Sequence, residues 1–554
     1  MTSPGTPANR HPVESDLTQQ LSRFDAAIAR DPSDYEAWHD RGSTLFAAGR
    51  LVEALACYER VIAIEPRVPE PYDNRGMVLQ RMGRFAEAIA SHEAAIARNP
   101  RFGTAYLRRA MALREFGRFK EALGDADRAV ALEPASAMAY NGRAIIHNDL
   151  GQYDAAVADY RKALDLAPGF VEAMNNLGNV LHDLGRFDEA IGQLDKALAM
   201  RPGYPEAHNN RGLALQELGR FDEALADYDT AIARRPGFAE ACKRRGSLKL
   251  LRGDFAGGWA DYDASVHAAR ARLCANGQAQ GIPAWEGQSL QGKSILLSEP
   301  NGLGDTLHYW RFVPMLMAMG ARVGFHGPAS LLRLLGSSSW QVPLLSGPMP
   351  GDGFDYRCEL WSLPRLLRTT LDSIPVGVPY LFAETDRVAR WAPLLAADAI
   401  NIGICWQGNP ARKIDARRSI PLAAFAPLAQ VPGVRLVSLQ KTHGLEQLAQ
   451  LPDGMQVILP DADFDAGPDA FVDTAALMQG LDLVVTSDTA IAHLAGALGQ
   501  PVWVGLQWMP EWRWMLDRDD SPWYPTMRLF RQRARGDWRS VFEAMQAALR
   551  LGER

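Results

Sequence analysis

A period of 34 residues runs through the first half of the 554-residue chain and limits what this half can fold into. Glycine, alanine and proline all recur at this interval. The glycines are Gly49, Gly83, Gly117, Gly151, Gly185, Gly219 and Gly253, the alanines Ala54, Ala88, Ala122, Ala156, Ala190 and Ala224, and the prolines Pro66, Pro100, Pro134, Pro168, Pro202 and Pro236. Glycine and proline both end helices, and a small alanine lets two helices pack closely. The pattern predicts a stack of helix pairs.

The period and its residues resemble the tetratricopeptide repeat (TPR). We count seven repeats, from residue 34 to about 268, after an unpaired helix at 17–30. The resemblance implies an all-α superhelix, with a TPR array at residues 17–268 and a concave face that binds a peptide or protein partner. An array that serves only as a spacer is the alternative.

Asparagines recur on one face of the predicted array. Asn74, Asn176 and Asn210 share one repeat position, two residues before a glycine. An asparagine amide can donate to and accept from a peptide backbone at the same time, so these residues form a candidate acceptor ladder. The protein O-GlcNAc transferases carry a similar ladder. Because other residue types interrupt the series here, a solvated helix face is the alternative.

The bulk composition excludes several classes of function. A chain of 554 residues needs more than one core, and a net charge of −6 gives no reason to expect binding to nucleic acid or to an anionic membrane. The five cysteines are scattered, which argues against disulfides and a zinc site. We find no apolar run of about 18 residues and therefore expect no transmembrane segment. Residues 1–16 read as a disordered tail, and we expect a cytoplasmic protein.

After a Gly- and Gln-rich linker at 269–291, short β-rich runs alternate with helical segments. Such alternation predicts parallel sheets covered by helices. We predict two Rossmann-like domains, at 292–395 and 396–535, and a C-terminal helix within 536–554. The predicted strands are 294–297, 321–326, 401–406, 435–439, 456–459, 482–486 and 502–506.

Three loops follow predicted strands, where ligands of open α/β sheets bind. The loop at 301–305 contains Gly302 and Gly304, which let backbone approach a ligand, and Asp305, which is either a helix cap or a base. The loop at 405–421 is basic and contains Arg412, Lys413, Arg417 and Arg418. The loop at 486–499 opens a helix at Ser487-Asp488-Thr489. A basic loop with a helix N-terminus is suited to a diphosphate leaving group.

Two of these motifs, G-L-G-D-T-L-H and S-D-T-A-I-A-H-L-A-G-A-L-G-Q-P, resemble the lipopolysaccharide heptosyltransferases. These are GT-B glycosyltransferases that use ADP-heptose. The resemblance implies that Asp305 is the catalytic base and that Arg418 contacts the donor phosphates. It also implies that Asp488, Thr489 and His493 bind the diphosphate, with Gly304 beside the donor. Ala490 stands where the family has glycine, which puts the identity of the donor in question.

The resemblance predicts an inverting, metal-independent GT-B glycosyltransferase that needs no cofactor besides its nucleotide-sugar donor. The predicted fold is a TPR superhelix followed by an α/β GT-B module. We expect the array to recruit a protein acceptor. The alternatives are a catalytically silent TPR scaffold and a transferase that acts on a surface glycan precursor.

Overall fold

The computed structural model describes residues 12–275, 281–299, 302–411 and 415–553. Asn301, Arg412 and Lys413, and most of the predicted tail, lie outside these ranges. The chain forms two compact units, Met1–Arg234 and Arg235–Arg554. The division falls inside the repeat array, so the seventh repeat belongs to the same unit as the sheets. The domain bounds given above therefore remain predictions.

The first unit is entirely helical. Its helices are α1 Pro12–Arg30, α2 Tyr35–Ala47, α3 Leu51–Ile64, α4 Glu70–Arg81, α5 Phe85–Arg98, α6 Gly103–Glu115, α7 Phe119–Leu132, α8 Ala137–Asp149, α9 Tyr153–Leu166, α10 Val171–Asp183, α11 Phe187–Met200, α12 Pro205–Glu217 and α13 Phe221–Arg234. The unpaired helix α1 starts at Pro12, earlier than the predicted residue 17. From α2 onward the helices pack in successive antiparallel pairs.

The repeat residues act as the sequence predicts. The seven periodic glycines follow the first helix of each pair and have φ between 72° and 85°, a left-handed conformation that glycine adopts without strain. The six periodic alanines are fully buried. The seventh pair, α14 Ala239–Leu251 and α15 Phe255–Ala275, repeats this geometry in the second unit. The prediction of seven repeats is confirmed.

The second unit contains two parallel sheets. The first has β1 Ser294–Ser298, β2 Arg322–His326, β3 Leu344–Leu345 and β4 Tyr356–Glu359, in the order β3-β2-β1-β4. The second has β5 Ile400–Cys405, β6 Val434–Ser438, β7 Val457–Ile458, β8 Leu483–Ser487, β9 Val502–Leu506 and β10 Met527–Arg531, in the order β10-β9-β8-β5-β6-β7. This second order is that of a dinucleotide-binding fold. The expected fold class, repeats followed by two Rossmann-like domains, is confirmed.

Short helices connect the strands and cover the sheets. The α-helices are α16 Leu303–Tyr309, α17 Val313–Ala318, α18 Ala329–Leu335, α19 Leu363–Leu366, α20 Thr385–Trp391, α21 Asp415–Arg418, α22 Ala426–Ala429, α23 Val472–Met478, α24 Ala490–Ala497 and α25 Trp538–Arg550. The 3-10 helices are Trp310–Phe312, Leu360–Ser362, Leu371–Ser373, Ala392–Leu394, Leu422–Phe425, Leu445–Gln450 and Trp512–Trp514. Two of the 3-10 helices, at 422–425 and 445–450, lie before and after β6.

All seven predicted strands exist, but three further strands do not appear in the prediction. β3 has only two residues, and β4 and β10 lie at the edges of their sheets. Edge strands often carry charged side chains, and these two contain Arg357, Glu359, Arg528 and Arg531. The central strands β8 and β9 are instead buried along their whole length and read as apolar runs.

Candidate active site

Asp305 lies in the first turn of α16, at the carboxyl end of the first sheet. The N-cap of this helix is Gly302, which has no side chain to cap with. The Asp305 carboxylate is instead paired with Arg513, whose Nη2 lies 2.5 Å from Oδ1. The Asp305 side chain is 39% exposed, so a ligand can reach it. Asp305 is not the N-cap residue of α16, and its role as a base remains a prediction.

Gly304 brings the two Rossmann-like domains into contact. A Cβ on Gly304 would lie 3.3 Å from the Cα of Ala490 and 3.3 Å from Cδ2 of His493, closer than most side chains allow. Helix α16 of the first domain thus packs on the first turn of α24 in the second. In this structure Gly304 serves that contact, and its predicted role beside the donor remains a prediction.

The predicted phosphate-binding residues gather at the start of α24. Thr489 is the N-cap, and its hydroxyl lies 3.2 Å from that of Thr486. The first amides of a helix have no partner within the helix and attract anions. Burial raises the pKa of the neighbouring Asp488 carboxyl, while the positive charges of Arg418 and Arg513 act against that rise.

Arg418 ends the short helix α21, in the basic loop after β5. Its Nε donates to the Asp415 carboxylate over 3.2 Å, and the hydroxyl of Ser419 donates to the other oxygen of that carboxylate over 3.0 Å. Its charge acts on Asp488. Arg418 therefore lies close enough to the start of α24 to affect Asp488, and its predicted contact with the donor phosphates remains a prediction. Arg417 is exposed.

His493 belongs to a buried aromatic cluster. Its Nδ1 lies 3.1 Å from the hydroxyl of Tyr524, and Nδ1 of His308 lies 3.3 Å from the same hydroxyl. The His493 ring stacks on Trp514 at a centroid distance of 5.6 Å. Burial and nearby arginines lower the pKa of both histidines well below the usual value, so both imidazoles are neutral. Any hydrogen bond from His493 to a phosphate would come from a neutral ring.

Arg513 is the residue at this site that sequence reasoning missed. Besides Asp305, its guanidinium donates to the hydroxyl of Tyr309 over 3.0 Å and lies 3.0 Å from Glu511. It also lies over the ring of Trp512, 5.0 Å from the centroid. Burial raises the pKa of Glu511 to about 7. The only signal in the sequence is an arginine between two tryptophans, W-R-W. No known motif or spacing identifies such an arginine as part of a site.

The aromatic residues that follow β9 are mostly part of the core. Trp514, Trp523 and Tyr524 are fully buried, whereas Trp508 is 40% exposed. Packing therefore explains the buried aromatics, and a stacking role is open only to Trp508.

The asparagines of the array form a chain of hydrogen bonds. Asn210 donates to Asn175 over 3.0 Å, Asn175 to Asn176 over 3.3 Å, and Asn176 to Asn141 over 3.5 Å. Asn209 extends the chain by donating to Asn210 over 3.3 Å. The chain links helices α8, α10 and α12, which lie side by side. Two of the three predicted asparagines are members of this chain.

Asn74 stands apart from this chain. Its amide lies 3.0 Å from Nε2 of His39. The position equivalent to Asn74 in the next repeat is Arg108, which is paired with Asp73. The ladder is thus continuous over the fourth to sixth repeats but not over the first three.

Comparison with known proteins agrees with both halves of this architecture. Models of the tetratricopeptide repeat match residues 45–115, 107–170, 141–205 and 205–238. The model of glycosyltransferase family 9 (heptosyltransferase) matches residues 423–506. This range contains Asp488, Thr489 and His493 but neither Asp305 nor Arg418. The chain is thus a repeat protein joined to an α/β module. More particularly, it is a tetratricopeptide-repeat protein whose C-terminal domain is similar to glycosyltransferase family 9.

Individual relatives cover only part of the chain. Protein FlbA of Caulobacter vibrioides is 27% identical over 296 residues, which are 48% of this chain and 48% of FlbA. The chain thus spans about half the length of this curated relative. The solved APC/C hetero-tetramer Cut9-Hcn1 has a TM-score of 0.39 at 16% identity, over 42% of this chain and 46% of that one. A TPR protein of Thermus thermophilus has a TM-score of 0.30 at 26% identity, over 33% of this chain and 99% of that one. Within the described ranges, no helix is both long and apolar enough to span a membrane.

Proposed function

We propose that the protein is a glycosyltransferase that moves a sugar from a nucleotide-diphosphate donor to a hydroxyl of a protein acceptor. The observation that carries this proposal is the meeting of two domains at Gly304 and Ala490. Asp305, whose side chain is 39% exposed, follows Gly304 directly, and the charges of Asp305 and Arg418 both act on Asp488, just before the N-cap of α24. A base and a diphosphate site on facing domains are what transfer from such a donor requires.

The transfer is a single displacement. The Asp305 carboxylate takes the proton of the acceptor hydroxyl, whose oxygen bonds to the anomeric carbon as the bond from that carbon to the phosphate oxygen breaks. Because attack and departure are in line, the anomeric configuration inverts. The departing diphosphate is stabilised by Arg418 and by the amides after Thr489. These groups supply the positive charge that a metal would otherwise provide, so neither a metal nor a cofactor is part of the proposal.

Arg513 is a positioning residue in this scheme. It holds Oδ1 of the Asp305 carboxylate and thereby fixes the direction of the other oxygen, which must accept the proton. The second function to be weighed is a silent TPR scaffold. Ala490 stands in place of the family's glycine in the first turn of α24, close to Gly304, and is the observation that favours the scaffold.

Nucleotide binding separates the transferase from the scaffold. We expect calorimetric titration of the full chain with ADP, UDP, GDP and dTDP to show binding of at least one. Arg418→Ala should then weaken that binding at least about tenfold, because a charged hydrogen bond to phosphate is lost. The neighbouring exposed Arg417→Ala is the matched control and should change binding less than about twofold. No heat with any of the four nucleotides would favour the scaffold.

We propose further that the asparagine chain binds an extended peptide of the acceptor. Asn141, Asn176 and Asn210 are partly exposed, and an amide has more hydrogen-bonding groups than the one bond each uses here toward a neighbouring repeat. A surface glycan precursor has no such backbone and would not need the ladder. The four cysteines that the structure describes, in both units, are buried and are not joined to one another by disulfides, which is consistent with a reducing compartment, and we place the protein in the cytoplasm.

Replacing Asn74, Asn176 and Asn210 together by Ala tests the ladder. Peptides selected on the wild-type protein from a displayed random library should bind the variant at least about tenfold more weakly, since about 0.5–1.5 kcal/mol is lost per hydrogen bond. Nucleotide affinity should stay unchanged. Asn99→Ala, an exposed asparagine in a turn between helices, is the control. Equal peptide affinity in all three proteins would show that the ladder residues are only solvated surface.

A further inference from the structure

The seventh helix pair departs from the repeat pattern at two adjacent positions. Trp259 stands where the other six repeats carry an aliphatic residue: Leu55, Ile89, Leu123, Val157, Ile191 and Leu225. The preceding residue is Gly258, where the others carry the periodic alanine. A Cβ there would lie 2.5 Å from Cγ of Leu250 and 3.1 Å from the carbonyl of Gly246, so α14 and α15 are packed too closely for alanine.

Trp259 packs against the α/β module and not against a further repeat. It is 4% exposed, and its indole N–H donates to the carbonyl of Thr369 over 2.9 Å. Its ring meets the ring of Trp512 edge to face at 5.2 Å. Such aromatic pairs stabilise beyond their buried area.

Other residues of the same helix pair support this contact. Phe255 lies 6.5 Å from Trp523, and Tyr262 lies 6.4 Å from Trp361 between ring centroids. Asp263 is paired with Arg365. All these contacts lie within the unit Arg235–Arg554, so the seventh repeat is packed into the module.

A short path leads from Trp259 to the candidate base. Trp512 begins a 3-10 helix whose next residue, Arg513, lies over the Trp512 ring and pairs with Asp305. Tyr262 lies near the same side chains, since the charges of Glu511, Arg513 and Asp305 all act on its hydroxyl. Burial raises the pKa of Tyr262 to about 12. The seventh helix pair therefore forms a wall of the site.

The geometry points to the seventh helix pair as a structural part of the candidate active site, in which Trp259 is a positioning residue that holds Trp512 and thereby Arg513 against Asp305. In this proposal the first six repeats form the partner-binding array, and the seventh repeat is part of the candidate active site. The consequence for catalysis rests on the proposed transferase function, whereas the order of residues 511–515 can be measured without a substrate.

Hydrogen exchange of the full chain tests this role. Three consecutive amides are bonded within the segment: Arg513 to the Glu511 carboxylate over 3.0 Å, Trp514 to the Glu511 carbonyl over 3.1 Å, and Met515 to the Trp512 carbonyl over 3.2 Å. Their protection thus reports the order of the segment. Trp259→Leu restores the residue type of the other repeats, and we expect exchange at residues 513–515 to become at least about tenfold faster.

Two further variants make the result specific. Ile191→Leu changes the same repeat position in the fifth repeat and should leave exchange at 513–515 as in the wild type. Trp259→Phe keeps a ring against Trp512 and should stay within about threefold of the wild type. Unchanged exchange in Trp259→Leu would overturn the inference, as would equal acceleration in the core strand β8, which would show global loosening. Silence in the nucleotide titrations would instead count against the transferase and leave the exchange result standing.

Discussion

Asp305→Asn is expected to lower sugar transfer at least about a hundredfold, because an amide cannot accept the proton that a general base removes. The fold should survive, since Asp305 is 39% exposed and is not the N-cap residue of α16. Nucleotide affinity should also stay close to that of the wild type, because the proposed phosphate site consists of Arg418 and the start of α24. The measurement is a transfer assay with the donor that the nucleotide titrations identify, together with thermal unfolding.

The matched control is Asp352→Asn, an exposed aspartate of the first domain. It should transfer at the wild-type rate. If Asp305→Asn also transfers at nearly that rate, the base lies elsewhere. His308 is fully buried and His493 is 5% exposed, so neither is well placed to meet an acceptor. Glu511, whose pKa burial raises to about 7, would be the next residue to replace.

Gly496→Ala is expected to destabilise the module by about 1–3 kcal/mol, the usual effect of overpacking. A helical glycine replaced by alanine normally stabilises by about 1 kcal/mol, so the expected sign is reversed. The reason is that a Cβ on Gly496 would lie 2.3 Å from Cδ1 of Tyr524. That ring is fully buried, and its hydroxyl is bonded to His308 and His493, so it cannot move aside.

Denaturant unfolding followed by tryptophan fluorescence measures this effect, because thirteen of the fourteen tryptophans follow Arg234 in the chain. The control is Gly124→Ala in helix α7, where a Cβ would meet nothing within 4 Å. Followed by circular dichroism, it should be neutral or stabilising by up to about 1 kcal/mol. If the Gly496→Ala protein is as stable as the wild type, the Tyr524 ring can move aside to make room for the added methyl group.

What the sequence predicted depends on how locally each feature is encoded. The repeats follow from glycines, alanines and prolines that act within one helix pair. The central strands follow from buried apolar runs, and the rule that ligands bind at strand ends placed Asp305 and Thr489 at one site. The edge strands β4 and β10 and the partner Arg513 do not follow from any local pattern. Arg513 lies 208 residues from Asp305 along the chain, and only the tertiary fold joins them.

The asparagines likewise have one feature that is encoded locally and another that depends on the tertiary fold. Their recurrence on one helix face could be read from the period. The hydrogen bonds that join Asn210 to Asn175 and Asn176 to Asn141 span 35 residues and alternate between two repeat positions. That alternation depends on how neighbouring helices stack and on rotamers, which a single sequence does not specify.

The packing of Trp259 into the module has a consequence for how such proteins can diversify. Repeat arrays gain and lose whole units because each unit contacts only its neighbours. Here the contacts of Trp259 with the module lie within the unit Arg235–Arg554, so insertion or deletion of 34-residue units before Arg234 leaves these contacts intact. The number of upstream repeats can therefore change between related chains, whereas the aromatic at the last repeat is expected to be retained together with the α/β module.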